Sequence, residues 1–329
     1  GKDKIDTSIN IQEICDNGHF EMLKFMIMNL TFDINNNDNK NQMTLLHLLC
    51  QNEKVDLIKL LLSRSNEIDI DINKVDINGM TPLHHAVKAN YDVEIVQLLL
   101  GTNRCDINAK DSLGRTALHY ACGLGKASII NELLKYADVI DINAQDNKGS
   151  TLLHDIANSN FFDIDVFRML LEADCKNPID PNIVDNLGNT PLHIACLKEN
   201  NLFVSSLIEL CPVYIDVNVI NKVYQTPLFI VCKNNDFLIF NTLFNSKLSD
   251  KIDINLTSPI FIAALKQNFI LFEKLLEMPE IDLNCNKNQR FNENDNYKFN
   301  FNFDGFNLVH VLSRFDSPEL LRKLIQTNQ

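Results

Sequence analysis

The sequence predicts an all-α fold: a solenoid of stacked helix-turn-helix units joined by hairpin-like finger loops. Three observations carry that prediction. A four-residue signature, Thr-Pro-Leu-His or a close variant, recurs at Thr44–His47, Thr81–His84, Thr116–His119, Thr151–His154 and Thr190–His193. A second tag, Asp-Ile-Asn or close to it, starts at Asp33, Asp71, Asp106, Asp141, Asp180, Asp216, Asp253 and Asp282, in register with the first. Between the tags the apolar residues keep a helical period, as in Val55–Leu62 and Val93–Leu100.

Each element follows from local chemistry. Thr suits the N-cap of a first helix, and Pro suits its first turn. A break with Asn or Gly follows, as in Ala89-Asn-Tyr-Asp or Gly123-Leu-Gly-Lys, and then a second helix begins. A polar Asp/Asn/Gly segment closes the unit, with the composition of a tight turn. Degenerate signatures continue the series at Thr226–Phe229, Ser258–Phe261 and Asn307–His310. An N-terminal stretch, Ile9–Met28, lacks the signature but ends at Asp33-Ile-Asn. Units are therefore expected to start near residues 9, 44, 81, 116, 151, 190, 226, 258 and 307, making one array over 1–329.

Gly79–Leu100 and Gly188–Cys196 carry the signature in nearly undiluted form, and on them the chain resembles the ankyrin repeat, a motif with a period of about 33 residues. The resemblance implies a curved solenoid whose first helices and fingers line a concave, partner-binding side. It implies a structural role for the signature histidine, which would bond the turn joining neighbouring units. It also raises Asn108, eight residues after Leu100, as an acceptor for asparagine hydroxylation.

The spacing His47/Cys50, His119/Cys122 and His193/Cys196 puts each pair on one helix face, as a zinc site would. A plainer reading accounts for both residues. Cys50, Cys122, Cys196 and Cys232 each lie six residues after their unit's Thr, where other units have Val87, Ala157 or Ala264. That slot wants a small apolar side chain, which a buried thiol satisfies. Successive pairs would sit roughly 10 Å apart, too far to share an ion. No metal and no cofactor is therefore expected. Nor does the chain hold a Gly-x-Gly-x-x-Gly, a phosphate-binding loop, a His-Glu-x-x-His or a Gly-x-Ser-x-Gly motif, so no catalytic residue is assigned.

Bulk properties narrow the partner. The 329 residues carry 30 Lys and Arg against 43 Asp and Glu, a net charge of −13, which argues against a general nucleic-acid or anionic-membrane binder. No apolar run reaches a membrane span, and the polar start is no signal peptide. Nine cysteines without such a signal suggest reduced thiols and a cytoplasmic setting. Gly1 in place of Met, and a last unit ending Pro318–Gln329 without an evident polar cap, suggest a piece of a longer protein.

The array departs from its own rule in two places. Tag-to-signature intervals are 10 or 11 residues in six cases, but Asp253 to Ser258 spans 5 and Asp282 to Asn307 spans 25. One finger is largely missing. The last carries an Asn/Phe-rich insertion, 285–303, with Tyr297, Phe299, Phe301 and Phe303 in strict alternation, a strand-like period. This insertion reads either as a solvated segment or as an arm that packs into the gap or takes a partner.

The expected contact surface comprises Ile77, Asn78 and Met80, then Ser112, Leu113 and Arg115, then Asn186, Leu187 and Asn189 on the fingers. Lys88, Leu124 and Lys198 join them from the first helices, and Tyr297, Phe299 and Phe301 from the insertion. Ile77, Met80, Leu113, Leu124 and Leu187 are apolar where solvent is expected, which marks either a binding patch or finger-to-finger packing. The function that fits best is a non-catalytic intracellular scaffold for a protein or peptide partner. Alternatives are a recruiting or autoinhibitory segment of a larger enzyme, such as a kinase, acyltransferase or bacterial effector, or the cytosolic domain of a membrane protein. The oligomeric state is not readable.

Overall fold

A computed structural model describes residues 11–29, 32–37, 39–89, 93–159, 163–212, 214–283, 308–314 and 318–327. Among them the regular structure is helical: eighteen α-helices, one short 3-10 turn at Ser249–Lys251, and no strand. In sequence order the helices are α1 (Ile11–Asp16), α2 (Phe20–Asn29), α3 (Leu45–Gln51), α4 (Val55–Ser63), α5 (Pro82–Lys88) and α6 (Val93–Leu100). Next come α7 (Ala117–Gly123), α8 (Ala127–Leu134), α9 (Leu152–Asn158), α10 (Ile164–Glu172), α11 (Pro191–Leu197) and α12 (Asn201–Leu210). The last are α13 (Pro227–Asn234), α14 (Phe237–Phe244), α15 (Pro259–Leu265), α16 (Phe269–Leu276), α17 (Leu308–Arg314) and α18 (Pro318–Thr327).

The chain divides into two compact units. One comprises Gly1–Asp155 with Asp165–Ile179, the other Ile156–Ile164 with Asp180–Gln329. In the first, α3, α5 and α7 pack in a row, with α4, α6 and α8 in a second row behind. The second repeats the scheme with α11, α13, α15 and α17 backed by α12, α14, α16 and α18.

Helices of six to ten residues are marginal in isolation, so their stability comes from packing. The facing residues are almost wholly buried: Leu46, Leu49, Ile58 and Leu61 in the first unit, and Phe203, Phe240 and Phe272 in the second, are 0–2% exposed. The slot six residues after each signature start is equally tight. Cys50, Cys196 and Cys232 are 0% exposed and Cys122 is 3%, as Val87, Ala157 and Ala264 are 0%. Burial pushes these thiols well above the usual cysteine range, so they fill space and stay protonated.

The first helices α3, α5, α7, α9 and α11 each open on a buried polar knot. At α3, Thr44 is an extended N-cap whose N–H and Oγ1 lie 3.1 and 2.8 Å from His47 Nδ1. Nδ1 therefore accepts, the ring proton sits on Nε2, and Nε2 donates to the Met80 carbonyl at 3.0 Å in the following unit. His84 reaches the Arg115 carbonyl (3.0 Å), His119 the Ser150 carbonyl (3.3 Å) and, in the second unit, His193 the Gln225 carbonyl (3.1 Å) in the same way. The structural reading of the histidine is thus a bond between units. Burial, and then the neighbouring His85, hold the His47 imidazole down at about 4.

The Asp-Ile-Asn tag forms a second bond between units. The Asp side chain accepts from the Asn N–H two residues on, closing an Asx turn, at 3.1 Å in Asp71–Asn73 and 3.0 Å in Asp106–Asn108. The Asn amide then clamps the following loop with both ends. Asn73 Nδ2 donates to the Arg104 carbonyl (2.8 Å) while its Oδ1 accepts from the Asp106 N–H (2.8 Å). Asn35 and Asn108 repeat this in the first unit, and Asn182, Asn218 and Asn255 in the second. The Asn108 side chain is therefore engaged at both of its polar atoms.

Candidate functional site

The candidate site is built from the finger turns and the ends of the first helices. A finger is a turn of the form Asp-x-x-Gly-x-Thr. In Asp76–Thr81 the Asp N–H donates to the Met80 carbonyl and the Gly79 N–H to the Asp76 carbonyl, both at 2.9 Å. The Asp76 side chain accepts from the N–H groups of Asn78 (2.8 Å) and Met80 (2.9 Å). Asp111–Thr116 and Asp185–Thr190 have the same four bonds. The finger is thereby rigid without forming a strand.

Neighbouring fingers are joined by one further backbone bond. Asn41, Asn78 and Leu113 accept through their carbonyls from Ile77, Ser112 and Asn147 at 3.0, 2.9 and 2.9 Å, and in the second unit Leu187 accepts from Lys222 at 2.8 Å. The close approach needs the glycine. Gly114 has φ +77°, and a Cβ there would stand 2.7 Å from the Asn147 nitrogen. Gln42 and Tyr224 fill the same position at φ 56° and 59°.

This geometry sorts the residues expected to bind. Ile77, Leu113 and Leu187 are 56%, 57% and 64% exposed at the finger tips, and Leu124 is 47% exposed as the C-cap of α7. Asn78, Ser112, Asn186, Lys88 and Lys198 are exposed too. Met80 is not. It is 7% exposed, because the residue after the finger glycine turns inward to present its carbonyl to His47. Asn189 is 4% exposed, its amide donating to Asp185 (3.2 Å) and accepting from Asn221 (2.8 Å). Arg115 is half-buried, 2.6 Å from Asp155, with its guanidinium 4.8 Å from the Tyr120 ring centroid. These three serve the scaffold. Tyr297, Phe299 and Phe301 lie outside the described residues.

Below two of the fingers, the residue after the signature His meets the finger's base. His85 Nε2 lies 2.9 Å from Asp76 Oδ2, and the Tyr120 hydroxyl donates to Asp111 at 2.5 Å. Burial would raise the Asp76 carboxyl, but the bonds from His85, Met80 and Asn78 outweigh it and hold the group below its ordinary value. At the third position stands Asp155, facing another carboxylate, Asp146. Burial is the main cause that lifts Asp155 to about 6, with Arg115 opposing. Among the described residues no group of three or more His, Cys, Asp or Glu could hold a metal ion.

Two sets of residues stand out that spacing alone did not single out. Lys126 is 5% exposed, and its ammonium caps the end of α5 by donating to the carbonyls of Val87 (2.8 Å), Lys88 (3.3 Å) and Ala89. Asn200 and Asn268, ten residues into their own units like Lys126, do the same to Ala157 (3.2 Å) and Cys232 (2.5 Å). The fixed offset was the available signal. The other set lies on the second helices: Leu202, Leu238 and Ile270 are 62–65% exposed where the first unit has Asp56, Glu94 and Ser128.

A repeated turn-helix-turn-helix unit, stacked through a Thr-His knot and an Asp-Asn clamp, defines a helical repeat protein. The family model for ankyrin repeats (3 copies) matches residues 11–111, 88–179 and 175–258. The chain belongs to the ankyrin-repeat family. Ankyrin repeats are in general non-catalytic modules of protein–protein interaction. A search of curated proteins returned no match. No helix among the described residues is long and apolar enough to cross a membrane.

Proposed function

We propose that this chain is a non-catalytic scaffold that holds a protein or peptide partner against its fingers and the ends of its first helices. The observation that carries this reading is apolar exposure on rigid supports. Ile77 and Leu113 stand more than half exposed on fingers that four internal bonds and a shared backbone bond hold in place. Anchors fixed before binding lose little entropy when a partner arrives, so modest apolar area yields useful affinity. Leu124 and Lys88 extend this surface in the first unit, and Leu187, Asn186 and Lys198 offer a similar one in the second. Asn78 and Ser112 supply polar groups at the rim. The buried free thiols Cys50, Cys122, Cys196 and Cys232 favour a reducing, intracellular setting.

The test is affinity capture with the whole chain, comparing wild type with Ile77→Glu/Leu113→Glu and with Leu187→Glu. At least one partner should fall about tenfold in recovery, with the melting temperature unchanged. Equal recovery of every partner by all three proteins would remove the finger surface from the reading.

A further inference from the structure

The finger row has an open end inside the second unit. Every finger bond described above uses the carbonyl of the second tip residue: Asn41, Asn78, Leu113 and Leu187. Val223 is the equivalent residue of the finger Asn221–Thr226, and its carbonyl has no partner among the described residues. The cause lies in the chain length that follows. Ser258 follows Asp253 by only five positions, so the next finger, which would bring the N–H, is not there.

The structure adapts to that absence in two ways. Thr257 and Ser258 take φ 62° and 51°, folding the short connection back so that Thr257 Oγ1 meets Thr226 Oγ1 at 3.1 Å. The signature position that elsewhere holds a histidine reaching for the next finger is Phe229, 3% exposed. What remains is a backbone acceptor flanked by exposed apolar side chains: Ile220 at 43%, Val223 at 41% and Tyr224 at 58%. Tyr224 stands where the glycines stand in other fingers, so its Cβ is directed toward the place of the missing neighbour, as the distance from a Cβ at Gly188 to Lys222 N (2.9 Å) illustrates. An open acceptor with an apolar border is the edge onto which an extended segment adds.

We propose that the occupant of this edge is the chain's own alternating stretch Tyr297–Phe303, one N–H of which takes the Val223 carbonyl while its aromatic side chains cover Ile220, Val223 and Tyr224. Continuity, pattern and length support this occupant. The edge continues a row of finger-to-finger bonds that this molecule already makes. An added segment should present apolar side chains at every second residue, and Tyr297, Phe299, Phe301 and Phe303 do. Its tether begins at Asp282, which the Asn255 clamp holds at 2.7 Å one unit beyond the gap. The residues from 284 to 296 reach roughly 40 Å when extended, against the roughly 10 Å between neighbouring units. The finger with about 15 surplus residues thus makes good the one that is missing. This goes beyond the scaffold reading and does not depend on it.

Hydrogen exchange of the whole chain tests the proposal. Amides of 297–303 should exchange at least tenfold slower than an unstructured peptide of that sequence. Val223→Ser/Tyr224→Ser should abolish the protection while amides of α11 and α12 keep theirs. Tyr297→Ser/Phe299→Ser/Phe301→Ser, which leaves the edge itself intact, should abolish it too. Exchange at the unstructured rate in wild type overturns the proposal, as does protection that survives the edge variant. Protection that grows with protein concentration also overturns it, assigning the edge to a second copy.

Discussion

His47 and Met80 lie 33 positions apart, and the imidazole Nε2 of the first donates to the backbone carbonyl of the second at 3.0 Å. The same ring accepts from the N–H and hydroxyl of Thr44, so one side chain ties its own helix start to the next unit. His47→Ala removes both connections and leaves the Met80 carbonyl buried without its donor. Urea titration should show a loss of about 2–4 kcal/mol. Thr44→Ala, which spares the Met80 bond, should cost about 1 kcal/mol. A change under ~0.5 kcal/mol for His47→Ala would mean that the bond contributes nothing to stacking.

Acid should loosen the array with a definite sign. His47 goes from 6.5 in the unfolded chain to about 4 when folded, and burial lowers His84 and His119 likewise. Their stabilisation is complete above 6.5 and is lost as the pH falls toward 4, because the unfolded chain takes up the protons. Asp155 runs the other way. Raised from 3.8 to about 6, it holds a proton in the folded state that the unfolded state releases, so it opposes the loss between those values. Asp155→Asn should therefore steepen the fall in stability between pH 6 and 5. An unchanged slope would contradict the raised value.

Gly114→Ala should be among the most disruptive small substitutions. It forces an L side chain to φ +77° and places a Cβ 2.7 Å from the Asn147 nitrogen, against backbone that carries a finger bond. A loss of about 2–3 kcal/mol is expected. Gly125→Ala has a positive φ of 65° but open space around it, and should lose about 1 kcal/mol. Equal losses would show that strain alone, and not finger contact, sets the cost.

Lys126→Met keeps the buried aliphatic stem and deletes the donor that caps α5. Three carbonyls lose a charge-assisted partner, and thermal denaturation should report a loss of about 2–3 kcal/mol. Lys126→Asn should recover part of that, since Asn268 and Asn200 cap α13 and α9 from the equivalent offset. An Asn variant as weak as Met would show that the shorter amide does not reach across this joint.

The periodic part of the fold was legible because packing imposes it. Helix starts follow from Thr and Pro, buried faces from the apolar period, and the Cys slot from its exchange with Val87 and Ala157. The exposure of the expected contact residues was half legible. Ile77, Leu113 and Leu187 point outward as expected, yet Met80 and Asn189, only two or three residues along, turn inward. A four-residue turn has no side-chain period, so alternation cannot be read from it, and only the destination of the Met80 carbonyl decides the matter. The Asn clamps were invisible for a related reason. Asn73 and Arg104 meet across 31 positions, and nothing within either segment announces the other.

The Asn clamp also bears on how such a chain can change. Each amide grips the unit that follows it and nothing further along. A substitution is consequently felt next door and fades beyond. Outward-facing positions far from a given joint are free to drift without upsetting it, which is how Asp56 and Glu94 in one stretch can give way to Leu238 and Ile270 in another on the same kind of backbone. The molecule can acquire a new surface one segment at a time while its skeleton stays the same.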